Sequence, residues 1–289
     1  MSKVWLITGS ASGLGRAIAE HALEQGDRVL ATARRPEAAM ELRKKYAGRV
    51  ALTALDVTDP MQAQAAVDAA VREFGRLDVL VNNAGFATVA PFEQMSPADF
   101  TAQIDTNFNG VVNLVRAAVP TMRQQRSGHI INISSGAGRL GAPGMAAYHA
   151  AKWAVGGFTE SIAKELGAFG VRAVAVEPGS MRTNWATSAA AATPALLPEY
   201  EPSVGRVISI LKTLAGHEIG DLAKYAKAIF DLSRANELPH HLILGSDALS
   251  AIRAAEHARE KAAKAWEEVT LSTDRADANL DFLTDLPPH

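Results

Sequence analysis

Apolar residues along the chain follow two alternating rhythms. Short, nearly continuous apolar runs such as Val4-Trp5-Leu6-Ile7 and Ile130-Ile131-Asn132-Ile133 give way to longer stretches with apolar positions at helical spacing, as in Ala17, Ile18, Ala19, Ala22 and Leu23. The first kind suits strands covered on both faces, and the second suits helices with one buried side. Strands are predicted near 4–8, 28–32, 50–55, 78–82, 128–134, 171–177 and 241–245. Helices are predicted near 13–25, 36–47, 60–74, 97–126, 145–169 and 218–235. This alternation implies an α/β fold: a doubly wound parallel sheet of about seven strands with helices on both faces. Right-handed crossovers bring all the strand C-termini to one edge, where such sheets bind ligands.

Two segments break the alternation. Residues 183–217 contain Asn184, Trp185, a small-residue tract, three prolines and then an apolar helical face, Val204, Val207, Ile208, Leu211 and Leu214. A connection this long in a compact domain is usually functional, and we read it as a substrate lid with one helix. Residues 246–289 begin with a predicted helix, 248–269, and end in a polar stretch from Asp274 that we expect to be loosely held.

Composition narrows the classes. The 289 residues are 48% hydrophobic, enough for one large core, and carry 29 basic and 31 acidic residues, a net charge of −2. Without a basic patch there is no footprint of a nucleic-acid binder. The chain has no cysteine, which removes disulfides and thiol chemistry, and no apolar run approaches the roughly 18 residues that span a bilayer. The first strand begins at once, with no room for a signal peptide, so a cytoplasmic protein is expected.

Three features carry chemistry. Tyr148 and Lys152 lie four apart on a predicted helix, hence on one face, where an ammonium is expected to draw the phenol pKa down towards working pH. The glycine-rich stretch Thr8-Gly9-Ser10-Ala11-Ser12-Gly13-Leu14-Gly15 runs from the first strand into the first helix, offering backbone N–H groups and a positive dipole end to a pyrophosphate. The second predicted strand runs into Ala33-Arg34-Arg35-Pro36, with no acid for a ribose diol, and a guanidinium there suits a 2′-phosphate. NADP(H) is therefore expected over NAD, with Arg34, first beyond the strand, the stronger candidate and Arg35 its neighbour.

These features, taken in order, resemble the short-chain dehydrogenase/reductase family from Val4 to about Thr183. Thr8, Gly9, Gly13 and Gly15 match its Thr-Gly-x-x-x-Gly-x-Gly pattern; Asn82, Asn83, Ala84 and Gly85 match its Asn-Asn-Ala-Gly; Tyr148 and Lys152 match its Tyr-x-x-x-Lys. Ser135 precedes the tyrosine by thirteen residues, as the family's serine does, and Asn107 matches its helix-borne asparagine. Asp56 matches the adenine-contacting acid, and Pro178-Gly179-Ser180-Met181-Arg182-Thr183 resembles the segment lining the nicotinamide.

The resemblance implies a Rossmann fold and a ketone/secondary-alcohol oxidoreductase in which Tyr148 is the general acid/base. Lys152 would hold the nicotinamide ribose, Ser135 the substrate oxygen and Asn107 a relay water. The cofactor set is then Thr8, Gly9, Ser12, Gly13, Leu14, Gly15, Arg34, Arg35, Asp56, Val57, Asn83, Ala84, Gly85, Tyr148, Lys152, Pro178, Gly179, Met181 and Thr183. Phe86, Leu140, Met145 and Trp185 are candidates for an apolar substrate pocket. Residues 1–245, lid included, read as one dinucleotide-binding catalytic domain with 246–289 as its helical extension. That extension departs from tetrameric family members, and the helices bearing Asn107 and Tyr148 resemble the pair through which members form homodimers. Ser134 is expected to point away from the site, and His149 to pack or face solvent. His240-His241 lacks ligands at metal spacing, so no metal is expected. An NAD-dependent alcohol dehydrogenase and a non-catalytic NADP-sensing regulator are the alternatives, and the activated phenol argues against the second.

Overall fold

The computed structural model describes residues 2–191 and 194–279. Its strands are β1 (Val4–Ile7), β2 (Arg28–Ala33), β3 (Val50–Ala54), β4 (Val79–Asn82), β5 (Gly128–Ile133), β6 (Val171–Pro178) and β7 (His241–Leu244). They form one seven-stranded sheet in the order β3-β2-β1-β4-β5-β6-β7, every pairing parallel. Trp5 is in register with Val29 on one side and Val79 on the other, so the order reverses direction at β1 and opens a crevice beside it.

The continuous apolar runs are explained by burial on both faces. Trp5 and Ile7 enter one core with Ile18, Leu23, Val29, Ile131 and Ile229, while Leu6 enters the other with Leu30, Leu80, Leu114 and Ile130. All three β1 side chains are fully buried, each stabilising the fold by about 1.5–3 kcal/mol. Truncating Leu6 to Ala would cost about 2–5 kcal/mol through lost transfer energy and the cavity left behind.

Helices α1 (Gly13–Glu24), α2 (Met40–Lys45), α3 (Pro60–Phe74), α4 (Pro97–Ile104), α5 (Gly110–Gln125) and α6 (Ala146–Leu166) follow the predicted windows with three differences. The predicted helix 36–47 opens as a 3₁₀ turn, Pro36–Ala39, before α2. The predicted helix 97–126 contains a π turn, Asp105–Asn109, joining α4 to α5. The predicted helix 218–235 is α9 (Leu222–Leu232), after the lid helices below; it starts late because Asp221 accepts the Ala223 and Lys224 N–H groups. Helix α3 shows how the sequence sets such ends. Asp59 accepts the Met61 and Gln62 N–H groups, Pro60 takes the first turn, and Gly75 ends the helix at φ 81°.

Residues 183–217, expected to hold one helix, contain two among the described residues: α7 (Trp185–Ala191) and α8 (Arg206–Leu214), the latter preceded by a π turn at Glu201–Gly205. The alanines at the start of the small-residue tract enter α7 because alanine favours helix. The predicted helix 248–269 is α10 (Ser246–Ala265) followed by α11 (Glu267–Leu271). The polar end is only partly visible, since residues 280–289 lie outside the described residues. Among the described residues, no helix is long and apolar enough to cross a membrane.

Candidate active site

The glycine turn after β1 is locked to the loop after β4. The Thr8 hydroxyl accepts the N–H groups of Asn83 (2.9 Å) and Ala84 (3.0 Å), while the Asn83 side-chain amide donates to the Thr8 and Gly9 carbonyls at 2.9 and 3.3 Å. Gly9 has φ +65°, and a Cβ there would sit 3.1 Å from the Ala84 Cα. A Cβ on Gly15 would lie 2.5 Å from the Gly9 carbonyl oxygen. Gly13, at φ +55°, faces Thr183 across the crevice, a Cβ there falling 3.6 Å from the Thr183 methyl. Ser12 is the N-cap of α1, and its side chain makes no capping hydrogen bond. Leu14 is buried beneath the turn. Beyond β2, Arg34 and Arg35 are exposed and form no ion pair among the described residues. Asp56 lies past β3, where its carboxylate accepts the Thr58 N–H and hydroxyl, and Val57 is buried with its carbonyl held by Asn113.

Ser135 follows β5 and opens a short turn by accepting the Ala137 N–H at 3.1 Å. It lies beside Tyr148, one turn into α6. Ser134, its neighbour, turns the other way and donates to the Lys152 carbonyl at 3.1 Å. Lys152 extends along the same face as Tyr148, with Nζ 5.7 Å from the ring centroid and donating to the Ile133 carbonyl at 2.8 Å.

Electrostatics depart from the expectation drawn from spacing. Burial pushes the Tyr148 phenol up to about 12, outweighing the opposing Ser135 hydrogen bond, and pushes Lys152 down to about 8. Adjacency on a helix supplies the pair, but desolvation penalises both charged forms and wins here. The site thus holds a neutral phenol beside an amine that changes charge near neutral pH.

Asn107 lies in the π turn and is fully buried. Its amide donates to the Phe86 and Gln103 carbonyls, both at 2.8 Å, and its Oδ1 accepts the Phe86 N–H at 3.1 Å. A Cβ on Gly85 would touch that oxygen at 2.5 Å and lie 3.6 Å from Lys152 Nζ. The π turn therefore sets the loop after β4 directly against the lysine. Such turns concentrate at functional sites, and this one aims a side chain that a regular helix would direct elsewhere.

Of the four pocket candidates, the structure gathers two around Tyr148. Trp185 rests on the Tyr148 ring with centroids 5.4 Å apart, and Met145 joins the same apolar cluster. Ala87, Val89, Ala189, Val204 and Ile208 complete it; Val204 and Ile208 belong to the apolar face that marked the lid, whereas Val89 carried no signal. Phe86 and Leu140 lie outside this cluster: Phe86 is 38% exposed, and Leu140 offers its carbonyl to the Trp153 indole. His149 is buried with Nδ1 2.8 Å from the Ala137 carbonyl. His241 meets Glu177 at 2.8 Å and Glu160 at 3.7 Å, acids that sequence spacing could not place beside it.

The short chain dehydrogenase family model matches residues 3–213. The chain belongs to this family. "Oxidoreductase BOA17" of Botryotinia fuckeliana is 42% identical over 274 residues, covering 94% of this chain and 100% of that protein. The crystal structure of a short-chain dehydrogenase from Streptomyces avermitilis superposes with a TM-score of 0.88 at 35% identity, covering 95% of this chain and 100% of that one. A Burkholderia phymatum member in complex with NAD has a TM-score of 0.78 at 25% identity, covering 96% and 98% of the two chains. A metagenomic member in complex with NADP has a TM-score of 0.67 at 29% identity, covering 84% and 97%. Relatives of this short-chain dehydrogenase thus bind either nicotinamide dinucleotide.

The residues at the crevice of this short-chain dehydrogenase fit such a cofactor. Gly9, Gly13 and Gly15 leave a floor that any Cβ would fill or strain, and the α1 N-terminus opens onto it without a side-chain cap. Pro178 ends β6 on the far side and Gly179 follows it, its N–H donating to the Leu244 carbonyl at 2.7 Å. Met181 is half-buried, packs against the core and bridges to Gly220 through its backbone.

Proposed function

We propose that this short-chain dehydrogenase is an NADP(H)-dependent oxidoreductase acting on a ketone or secondary alcohol of moderately apolar character, with Tyr148 as general acid/base. The observation that carries the reading is Ser135 brought beside Tyr148 with Lys152 on the same helix face, set between a glycine cradle and an apolar cluster. A reduced nicotinamide, when bound, supplies hydride to the carbonyl carbon.

Tyr148 gives its phenolic proton to the substrate oxygen as negative charge grows there, a step worth about 10²–10⁴ in rate. Because burial keeps the phenol neutral, the donor is loaded before substrate arrives. Ser135 has its oxygen oriented by the Ala137 N–H, which leaves its own proton to donate to the same substrate oxygen. Lys152, held by the Ile133 carbonyl, supplies positive charge beneath the phenol and would hold the ribose hydroxyls of the cofactor. Asn107, with one Oδ1 lone pair left after its contacts to Phe86, holds the relay water.

Arg34 supports NADP over NAD: it stands exposed just past β2 and makes no ion pair among the described residues. Trp185, Met145 and the lid residues Val204 and Ile208 support an apolar substrate. By family likeness the protein acts as a homodimer through α5 and α6.

A panel of ketones and alcohols, assayed with NADPH, NADH and their oxidised forms by nicotinamide absorbance, tests the reading. Apolar ketones are expected to turn over, faster with NADPH. Faster turnover with NADH would replace the cofactor assignment, and binding of NADPH without turnover on any substrate would favour a sensor.

A further inference from the structure

The segment leading from β6 into the lid is held by a residue of the C-terminal extension. The Ser180 N–H donates to Asp247 Oδ2 at 2.8 Å, and the Ala248 N–H donates to Asp247 Oδ1 at 2.8 Å. Two glycines make room for this carboxylate. A Cβ on Gly179 would overlap it, and one on Gly245 would come within 2.7 Å of Oδ1. Gly245 also holds φ +105°, a conformation open to glycine and strained for other residues. The Gly179 N–H and the Tyr225 hydroxyl share the Leu244 carbonyl at 2.7 and 2.9 Å, closing the far side. Burial pushes the Asp247 carboxyl up, but hydrogen bonds from Ser180 and Ala248 outweigh it and hold the group below the usual carboxylate range. Asp247 is thus a charged acceptor at two backbone donors, a role a neutral side chain fills only in part.

We propose that Asp247 is a positioning residue for the nicotinamide side of the site, its carboxylate fixing the Gly179–Ser180 turn from which Thr183, Trp185 and the lid extend. The proposal rests on the nicotinamide dinucleotide reading above. Two residues, Met181 and Arg182, lie between Asp247's anchor, Ser180, and Thr183, which faces Gly13 across the crevice. A turn released by a missing carboxylate would carry Thr183 and Trp185 with it, whereas Thr8 and Arg34, just past β1 and β2, and Gly15, in α1, do not depend on it. The effect should therefore fall on one half of the cofactor.

Full-length wild type, Asp247→Ala and Asp247→Asn would be titrated with NADPH and with 2′,5′-ADP, a probe of the adenine half alone. NADPH affinity is expected to fall about tenfold in Asp247→Ala, the scale of one lost charge-assisted hydrogen bond, while 2′,5′-ADP stays within about twofold. Asp247→Asn should fall between, because its amide accepts one of the two N–H groups and opposes the other with donors. It also serves if the alanine variant does not fold. Unchanged NADPH affinity, or equal loss for both probes, overturns the proposal. Hydrogen exchange in the free protein gives a cofactor-independent arm: the Ser180 amide should lose protection in Asp247→Ala while β1 to β3 keep theirs, and retained protection overturns the clamp. A wild type that prefers NADH revises the cofactor assignment before any variant is made, and NADH with AMP then replaces the two probes. A wild type that binds neither dinucleotide overturns both readings, even where exchange reports the turn released.

Discussion

The two edges of the sheet handle charge in opposite ways. At the N-terminal edge, Asp27 accepts the Lys3 N–H and the Trp5 indole N–H, both at 2.8 Å, and pairs with Arg234. Asp78 accepts the Val4 N–H at 2.9 Å and pairs with Arg76 at 2.6 Å. Each acid there meets a backbone donor and a cation, and both stay inside the fold. At the C-terminal edge, Arg34 and Arg35 stand without an ion pair among the described residues, and Lys152 is buried beside a neutral phenol and a carbonyl instead of a carboxylate. A satisfied edge holds strands in register, and an edge with capacity to spare recognises and reacts.

Breaking the reactive edge should give the largest effect. Tyr148→Phe is expected to lower kcat at least about 100-fold with NADPH affinity nearly unchanged, since only the proton donor is lost. Retention of a tenth of the rate would take Tyr148 out of the acid role. Arg34→Ala should weaken NADPH by about 1.5–3 kcal/mol and leave NADH nearly unaffected, read by titration of both. Equal losses would show that the arginine serves structure, as the cations of the other edge do.

The satisfied edge should answer in stability alone. Asp78→Ala leaves the Val4 N–H buried without its acceptor and should cost about 2 kcal/mol in denaturant unfolding, discounted for the half-exposed Arg76, with kcat unchanged. A lowered kcat would join the two edges and spoil the contrast. The pH profile sharpens it further. Lys152, its pKa lowered by burial to about 8, loses its charge as pH rises through that value, so reduction should decline by about tenfold per unit above it. A rate that stays flat to pH 10 would mean that the lysine charge does not matter to the step. The smallest expected effect is that of Trp185→Ala, a rise of several-fold in KM for bulky apolar ketones with NADPH affinity preserved, about the scale of one apolar contact.

Much of the reactive edge could be read from the chain before folding. Helical spacing joined Tyr148 to Lys152, and the run from strand through glycines to helix located the crevice, because both are local patterns. What escaped needed the third dimension. Spacing put an ammonium beside a phenol but could not weigh desolvation, so the direction of the Tyr148 shift came out reversed. The π turn at Asp105–Asn109 has no compositional mark, and an unbroken helix was the natural reading. Phe86 and Leu140 were grouped with the pocket by sequence neighbourhood, while Val89 and Ala189 reach it only through the fold. Asp247 carried no signal of its own, because Ser180, which rests against it, lies 67 residues earlier.

That last separation also orders events during synthesis. The Thr8 hydroxyl waits 75 residues for its Asn83 partner, about 4–15 s at ribosomal rates of about 5–20 residues per second. The first glycine turn therefore spends that interval untied while α1, β2, β3 and α3 emerge. Ser180 must wait again for Asp247, until nearly the whole chain has left the ribosome. A ribosome stalled between those two points would carry a tied nucleotide cradle and an open opposite wall, so the two walls of the crevice are completed at different moments in the life of the nascent chain.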